Sequence, residues 1–193
     1  MDYDLSQMRW EGDDNFFLFD YVPWRTGYAT RETRLILNFK NNNPRDVEQV
    51  KEIAIAAFSQ AEIDLRDLEC RYIVAIPSSK AESTNAPCEA VCAALADYFD
   101  WLTYLPRALK RVITVQKSAT AEKEGRLRTT YEEHVNSIRY VGPSIVAHNQ
   151  SIIMVDDVLT RGATSQACRA VLASATGCKQ VIGFFIGRTL WTI

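Results

Sequence analysis

The sequence lacks the features that mark secreted, membrane-spanning or strongly charged proteins. Its five cysteines include no Cys-x-x-Cys pair, and no apolar run approaches the roughly 20 residues that span a bilayer. A formal net charge of −2 gives no general attraction to nucleic acid or to a membrane. The first 15 residues are acidic, whereas a signal peptide begins with basic and then apolar residues. We therefore expect a reduced, soluble, cytoplasmic protein.

What the chain does contain is enough apolar sequence for a sizeable core, with 47% hydrophobic residues among 193. Strands are predicted at residues 16–21, 33–39, 72–76, 101–105, 138–141, 151–156 and 181–186. Helices are predicted at residues 47–60, 85–98, 130–136 and 163–176. Strands that alternate with helices predict an α/β fold with a mainly parallel sheet. Ligands of such sheets bind at the carboxyl ends of the strands.

The most specific pattern is a predicted buried strand that ends in two adjacent carboxylates, Asp156 and Asp157. A turn containing Gly162 follows, and Thr160 and Thr164 add hydroxyls beside a predicted helix start. Helix-start amides bind phosphate, whereas carboxylates suit neutral hydroxyls. A ribose 5-phosphate offers both groups, a phosphate and a 2,3-diol. The alternative is a strand that ends in a solvated acidic turn with an ordinary threonine cap.

A second candidate is the loop that follows the predicted strand 72–76. After Pro77, the residues Ser78, Ser79 and Lys80 supply free amides, two hydroxyls and one ammonium before the next helix. These groups suit a diphosphate. The alternative is an ordinary strand-to-helix loop with a solvated lysine.

Residues 107–128 form a long polar connection with seven basic and two acidic residues, a local charge of +5. A connection of this length in a compact domain is usually functional or disordered. Lys110 and Arg111, and then Lys117, are the best candidates for contacts with a phosphorylated ligand. A nucleic-acid patch and a solvated loop are the alternatives.

The acidic pair and the turn after it resemble the phosphoribosyl-diphosphate motif of type I phosphoribosyltransferases. That motif has four apolar residues, two acidic residues and then Thr-Thr-Gly-Ala-Thr. The chain has Ala163 in its expected place, and Arg161 where the family often has a second threonine. An arginine at that position adds a possible charge-assisted contact to the phosphate.

Other segments resemble one branch of that superfamily, the late-competence-protein-F-like phosphoribosyltransferases. Residues 35–40 (LILNFK) resemble a stretch near the start of that branch, and residues 76–80 (IPSSK) resemble its diphosphate-binding loop. Residues that resemble its lid region are 111–116, Arg126 and Asn136. Residues 82–86 (ESTNA) depart from the Arg-Gly-Phe-Asn-Gln of the branch, and its cysteine-rich zinc element is absent.

The resemblance implies a Rossmann-like, mainly parallel sheet flanked by helices, with a small N-terminal hood rich in β-structure. Residues 1–45 would form this hood, and residues 46–193 the phosphoribosyltransferase core. Residues 106–130 would form a flexible lid whose closure over the diphosphate excludes water.

The resemblance also implies that the protein binds 5-phosphoribosyl 1-diphosphate with Mg²⁺ and acts in nucleotide metabolism. It would transfer the phosphoribosyl group to a nitrogen acceptor and release diphosphate. Asp156 and Asp157 would bind the ribose diol, and the substrate would hold most of the magnesium, with a possible water-mediated contact to either carboxylate. The 5-phosphate would be held by Thr160, Arg161, Gly162, Ala163 and Thr164. The diphosphate would be bound by Ser78, Ser79, Lys80 and Lys117, with Lys110 and Arg111 as catalytic residues.

The main alternative to an enzyme is an accessory protein of the competence type that senses phosphoribosyl diphosphate or handles single-stranded nucleic acid without turnover. We expect no membrane partner and leave a homodimer open. Cys88 and Cys92 are interpreted as buried packing, and His134 and His148 as surface or core residues without obvious partners. The aromatic residues Trp24, Tyr28 and Trp191 are interpreted as core.

Overall fold

The computed structural model describes residues 9–12, 14–22, 30–115, 129–145 and 147–190. Its strands are β1 (Arg9–Glu11), β2 (Asn15–Tyr21), β3 (Cys70–Ala75), β4 (Thr103–Tyr104), β5 (Leu109–Arg111), β6 (Ile138–Tyr140), β7 (Ser151–Leu159) and β8 (Gln180–Thr189). Its helices are α1 (Arg31–Lys40), α2 (Pro44–Gln60), α3 (Glu62–Asp67), α4 (Ala86–Tyr98), α5 (Tyr131–Ser137) and α6 (Ala163–Thr176).

Six of these strands form one sheet in the order β1-β2-β8-β7-β3-β4. All neighbours in it are parallel except β1 and β2, which are antiparallel. Strands β5 and β6 form a separate antiparallel pair. The predicted α/β fold with a mainly parallel sheet is therefore confirmed, and the N-terminal strands extend its edge. β3 and β7 are neighbours, so the segments that follow them lie side by side.

Helices cover both faces of the sheet, and the side chains of β7 alternate between them as the pleat requires. Ile153 and Val155 join the core under α1, α2 and α4. Ile152 and Met154 join the core under α6 and the β5–β6 pair. Because β7 is buried on both faces, its sequence is a continuous apolar run up to Val155, typical of a central parallel strand.

The strand predicted at residues 33–39 is wrong, because this segment is helix α1. Thr30 caps the helix by accepting a hydrogen bond from the Thr33 amide at 3.1 Å. Ile36 and Phe39 are buried three residues apart, which is helical spacing. A short apolar run such as LILNF fits either period, and the capping threonine decides between them. The helix places Lys40 at its end, beside the carboxyl edge of the sheet.

The other predicted elements are present with changes at the ends, whereas α3, β1 and β5 were not predicted. α2 begins at Pro44 and is capped by Asn43 rather than by Asp46. The strand predicted at residues 101–105 shrinks to the two residues of β4. Gly177 has a φ of +63° and ends α6 in the predicted left-handed conformation. None of the helices in the described ranges is long and apolar enough to cross a membrane.

Candidate functional site

A cavity of about 740 Å³ opens at the carboxyl edge of the sheet, where β3 and β7 end. Of the predicted site residues, those that line it are Ser78, Ser79, Lys80, Arg111, Asp156, Asp157, Thr160 and Thr164. Those in the described ranges that do not line it are Lys110, Arg161, Gly162 and Ala163. Lys117 lies outside the described residues. The fold thus brings the two sequence motifs, one after each strand, to a single cavity.

The two carboxylates of the acid pair have different surroundings. Asp156 Oδ1 accepts hydrogen bonds from the Asp157 amide at 2.9 Å and from Asn85 Nδ2 at 3.3 Å. Asp157 Oδ1 accepts from the Val158 amide at 2.7 Å. Burial, and then the charge of Asp157, raises the pKa of Asp156 to about 8. The Asp156 carboxyl is therefore a weaker acid than an ordinary aspartate.

Lys40 supplies the counter-charge to this pair from the end of α1. Its Nζ lies 2.7 Å from Asp157 Oδ2, although 49% of the lysine side chain is exposed. Burial of the ammonium lowers the pKa of Lys40, but the charges of Asp157 and Asp156 outweigh it and leave that pKa raised. Lys40 also lines the cavity. Sequence analysis considered Lys40 only as the last residue of the stretch 35–40 (LILNFK), so its ion pair with Asp157 was not predicted.

The turn between β7 and α6 has the form that an anion site needs. Gly162 has a φ of +77°, and a Cβ built there would meet only Leu159 Cδ1 at 3.8 Å. The glycine is therefore required by its backbone conformation rather than by crowding within the protein. Helix α6 starts without a side-chain cap, and Thr160 and Thr164 face the cavity beside its first turn. Its first amide groups remain without the usual side-chain acceptor.

The loop after β3 is held in shape by the strand β5 and the residues after it. The Lys80 amide donates to Ser78 Oγ at 3.2 Å, which closes a tight turn within the loop. The Val115 amide donates to the Ser79 carbonyl at 2.9 Å, and the Ala81 amide donates to Thr114 Oγ1 at 3.0 Å. These bonds fix the backbone of the loop before any ligand arrives, and its hydroxyls and Lys80 line the cavity.

The adjacent residues Arg111 and Lys110 point in opposite directions from β5. Arg111 is 1% exposed, and its guanidinium donates to the Ser78 carbonyl at 2.8 Å and to Ser137 Oγ at 2.6 Å. Lys110 instead pairs with Glu82 outside the cavity lining. Arg111 is thus part of the cavity wall. Residues 116–128 of the predicted lid (106–130) lie outside the described residues, and its first part, residues 106–115, includes the strand β5.

His134 is a site residue that sequence reasoning missed, since it was interpreted as a histidine without obvious partners. It is 6% exposed and lines the cavity. Its Nδ1 lies 3.3 Å from Arg111 Nη1, and its Nε2 lies 3.4 Å from Thr164 Oγ1. The sequence signal that could have located His134 is the capping box of Thr130 and Glu133. This capping box fixes the start of α5 and therefore the direction in which the His134 side chain points.

The carboxylates of Asp156 and Asp157 could supply only a small part of the ligands that a magnesium ion needs. Within the described ranges, no group of three or more histidine, cysteine, aspartate or glutamate side chains could hold a metal. Asp156 and Asp157 are two carboxylates, and Lys40 already neutralises one of them. Magnesium prefers phosphate and hydroxyl oxygens and keeps several waters. Phosphates and hydroxyls of a substrate would therefore have to supply most of its ligands.

No protein-family model matches the chain, and a search of curated proteins finds no match. Among solved structures, the chain is similar to an adenine phosphoribosyltransferase from Leishmania tarentolae, with a TM-score of 0.46 and 10% identity over 94% of each chain. It is also similar to the adenine phosphoribosyltransferase of Leishmania donovani, with a TM-score of 0.44 and 9% identity over 94% of this chain and 86% of that one. At these values neither likeness identifies a substrate or a site residue, so function has to be inferred from the geometry of the cavity.

Proposed function

We propose that this protein binds 5-phosphoribosyl 1-diphosphate with Mg²⁺ and transfers the phosphoribosyl group to a nitrogen nucleophile with release of diphosphate. The supporting observation is that the acid pair, two threonines of the turn before α6 and the loop 77–80 all line one cavity. The turn before α6 follows the acid pair on β7, and the loop 77–80 follows the neighbouring parallel strand β3. These three sets of groups suit the three parts of the ligand, which are a phosphate, a ribose diol and a diphosphate.

The proposed contacts follow from the chemistry of each side chain. The first amides of α6, with the hydroxyls of Thr160 and Thr164, would bind the 5-phosphate. Asp156 and Asp157 would accept hydrogen bonds from the 2- and 3-hydroxyls of the ribose. The amides and hydroxyls of the loop after β3, together with Lys80, would bind the diphosphate.

During transfer, the bond between the anomeric carbon and the diphosphate oxygen breaks, and its electron pair leaves with the diphosphate. The lone pair of the acceptor nitrogen forms the new bond to the same carbon, and the nitrogen afterwards loses a proton to solvent. A bound magnesium ion would neutralise charge on the diphosphate. Lys80 would add positive charge at the leaving group, and the acid pair in its ionised form would favour the cationic character that develops at the anomeric carbon.

The acceptor would lie on the side of the cavity formed by β2 and α1. Tyr21, Ile36 and Leu37 line this side, and the side chains of Asn41 and Asn42 lie at its rim. An apolar wall beside two amide groups suits a planar acceptor with polar edges. The acceptor therefore belongs, in our proposal, to the class of flat nitrogen-containing molecules.

Calorimetry with 5-phosphoribosyl 1-diphosphate and Mg²⁺ tests the binding part of this proposal. We expect binding to the wild-type protein and a loss of at least about tenfold in affinity in the double variant Asp156→Asn, Asp157→Asn. Asp97→Asn, at an exposed carboxylate on α4, is the matched control and should bind as the wild type does. Equal affinity in all three proteins would refute the proposed site.

Release of diphosphate in the presence of candidate bases and amines tests turnover. Release that depends on one acceptor would support the enzyme. Binding without release for every acceptor tried would favour a sensing role. Tight binding of single-stranded DNA with a steep salt dependence, in a protein that ignores phosphoribosyl diphosphate, would favour nucleic-acid handling.

A further inference from the structure

The buried contact between His134, Arg111 and Thr164 forms one wall of the cavity, next to the first turn of α6. We propose that His134 belongs to the binding site for the 5-phosphate and takes up a proton when that phosphate binds. This inference rests on the proposed function, because it assumes that a phosphorylated ribose occupies the cavity. It adds a proton to the binding reaction, which the sequence motif alone does not imply.

The hydrogen bonds fix the protonation state of His134 before the ligand binds. A guanidinium can only donate, so the contact between Arg111 Nη1 and His134 Nδ1 requires Nδ1 to accept. The ring proton of the neutral imidazole is then on Nε2, and Thr164 Oγ1 lies 3.4 Å from Nε2 and 3.5 Å from Nδ1. His134 is therefore neutral in the absence of ligand, and its ring lies beside the threonine that lines the phosphate end of the cavity.

The surrounding charges also favour the neutral ring. Burial, and then the guanidinium of Arg111, lowers the pKa of His134, while Glu133 on the same helix raises it. The helix α6 contributes Cys168, whose thiol remains neutral because burial raises its pKa. The strand β6 contributes Arg139, whose Nη1 donates to carbonyls at the end of α5 and so is directed away from the ring. Arg111 is therefore the charge that a ligand would have to offset.

A phosphate dianion at Thr164 and the start of α6 would offset that charge. Two negative charges within contact distance of the imidazole favour its protonated form, and both ring nitrogens then become donors. Arg111 Nη1 loses its acceptor on His134 and gains one on the phosphate. Because the bound state holds a proton that the free state lacks, affinity should fall as pH rises between the pKa values of His134 in the two states. The fall can reach tenfold per pH unit for one full proton.

The chain has only two histidines, which makes the proton directly observable. The Cε1–H resonances of His134 and His148 can be followed by NMR against pH, without ligand and with saturating ribose 5-phosphate. His134→Gln assigns the resonance and replaces the ring by a polar group that does not titrate. We expect the titration midpoint of His134 to rise by at least about half a pH unit on binding. His148, which is exposed and contacts Gly177, is the internal control.

Calorimetry near pH 7 in two buffers of different ionisation enthalpy provides a second measurement. Wild-type protein should take up a fraction of a proton with ribose 5-phosphate, and His134→Gln should take up less. Ionisation of the ligand phosphate is common to both proteins and cancels in the difference. Binding of ribose 5-phosphate with an unmoved His134 midpoint would overturn this inference alone, as would binding of phosphoribosyl diphosphate without binding of ribose 5-phosphate. If neither ligand binds, both the inference and the proposed function are refuted.

Discussion

Lys40 Nζ lies 2.7 Å from Asp157 Oδ2, so the last residue of α1 makes an ion pair with the acid pair at the end of β7. Asp157 is 14% exposed, whereas half of the Lys40 side chain is in solvent. The ion pair is thus intermediate between a surface pair and a buried one. The ion pair also connects α1, in the N-terminal part of the chain, to the cavity at the end of β7.

Replacing Lys40 by methionine should leave Asp157 without its counter-charge next to Asp156. We expect the free energy of unfolding at pH 7 to fall by about 1 to 2 kcal/mol, between the values typical of surface and buried pairs. Urea denaturation measures this change. Lys51→Met is the control, since Lys51 pairs with Glu48 on the outer face of α2. Equal losses in the two variants would show that the Lys40 pair is no stronger than a surface pair.

Stability should depend on pH through Asp156. Its pKa is about 8 in the folded protein and near 4 in the unfolded chain, so the folded state holds an extra proton between these values. The stabilisation from this proton is complete below pH 4 and is lost as pH rises to 8, by at most about 1.4 kcal/mol per unit. Asp156→Asn, which resembles the protonated acid, should flatten the curve and gain most at pH 8. Urea midpoints from pH 5 to pH 8 measure this, with Asp97→Asn expected to keep the wild-type slope.

The neighbours Arg111 and Lys110 should differ sharply in their contribution to stability. Arg111→Met removes a buried guanidinium and leaves the Ser78 carbonyl and Ser137 Oγ without their donor. We expect a loss of about 3 kcal/mol. Lys110→Met breaks only a solvent-exposed pair with Glu82 and should cost less than about 1 kcal/mol. Thermal unfolding of the two variants distinguishes a wall residue from a surface residue, and similar melting temperatures would contradict the assignment of Arg111.

Two glycines in the left-handed conformation offer a matched pair for testing the phosphate turn. Gly162 and Gly177 flank α6 with φ values of +77° and +63°. Alanine at Gly162 should cost roughly 1 kcal/mol from backbone strain. Alanine at Gly177 should cost more, because its Cβ would lie 2.8 Å from the His148 ring, and urea denaturation measures both losses. Only Gly162→Ala should weaken binding of ribose 5-phosphate, by about tenfold, because strain at this residue would shift the turn that leads into the first amides of α6. Equal affinities in the two variants would place the phosphate elsewhere.

The sequence was sufficient where one physical signal dominated. β7 and β8 contain apolar runs buried on both faces, and α6 has a clear period and a glycine at its end, so these elements were predicted, although each strand extends three residues beyond its predicted end. The strand prediction for residues 33–39 failed because the five-residue run 35–39 (LILNF) cannot distinguish a period of 2 from one of 3.6. Lys40 and His134 were missed for a different reason. Each acts through a partner far away in the chain, and such partners are set by the packing of α1 and α5 rather than by local sequence.

The place of β2 in the sheet has a consequence for synthesis of the chain. Asn15 in β2 is the register partner of Gly183 in β8, so an early strand pairs with a late one. While the ribosome makes the residues between them, the segment Phe16-Phe17-Leu18-Phe19 has only the short strand β1 beside it. An exposed aromatic strand of this kind is prone to aggregation until its partner arrives. The nascent chain must therefore protect its first apolar strand at least until β8 has been synthesised and has left the ribosome.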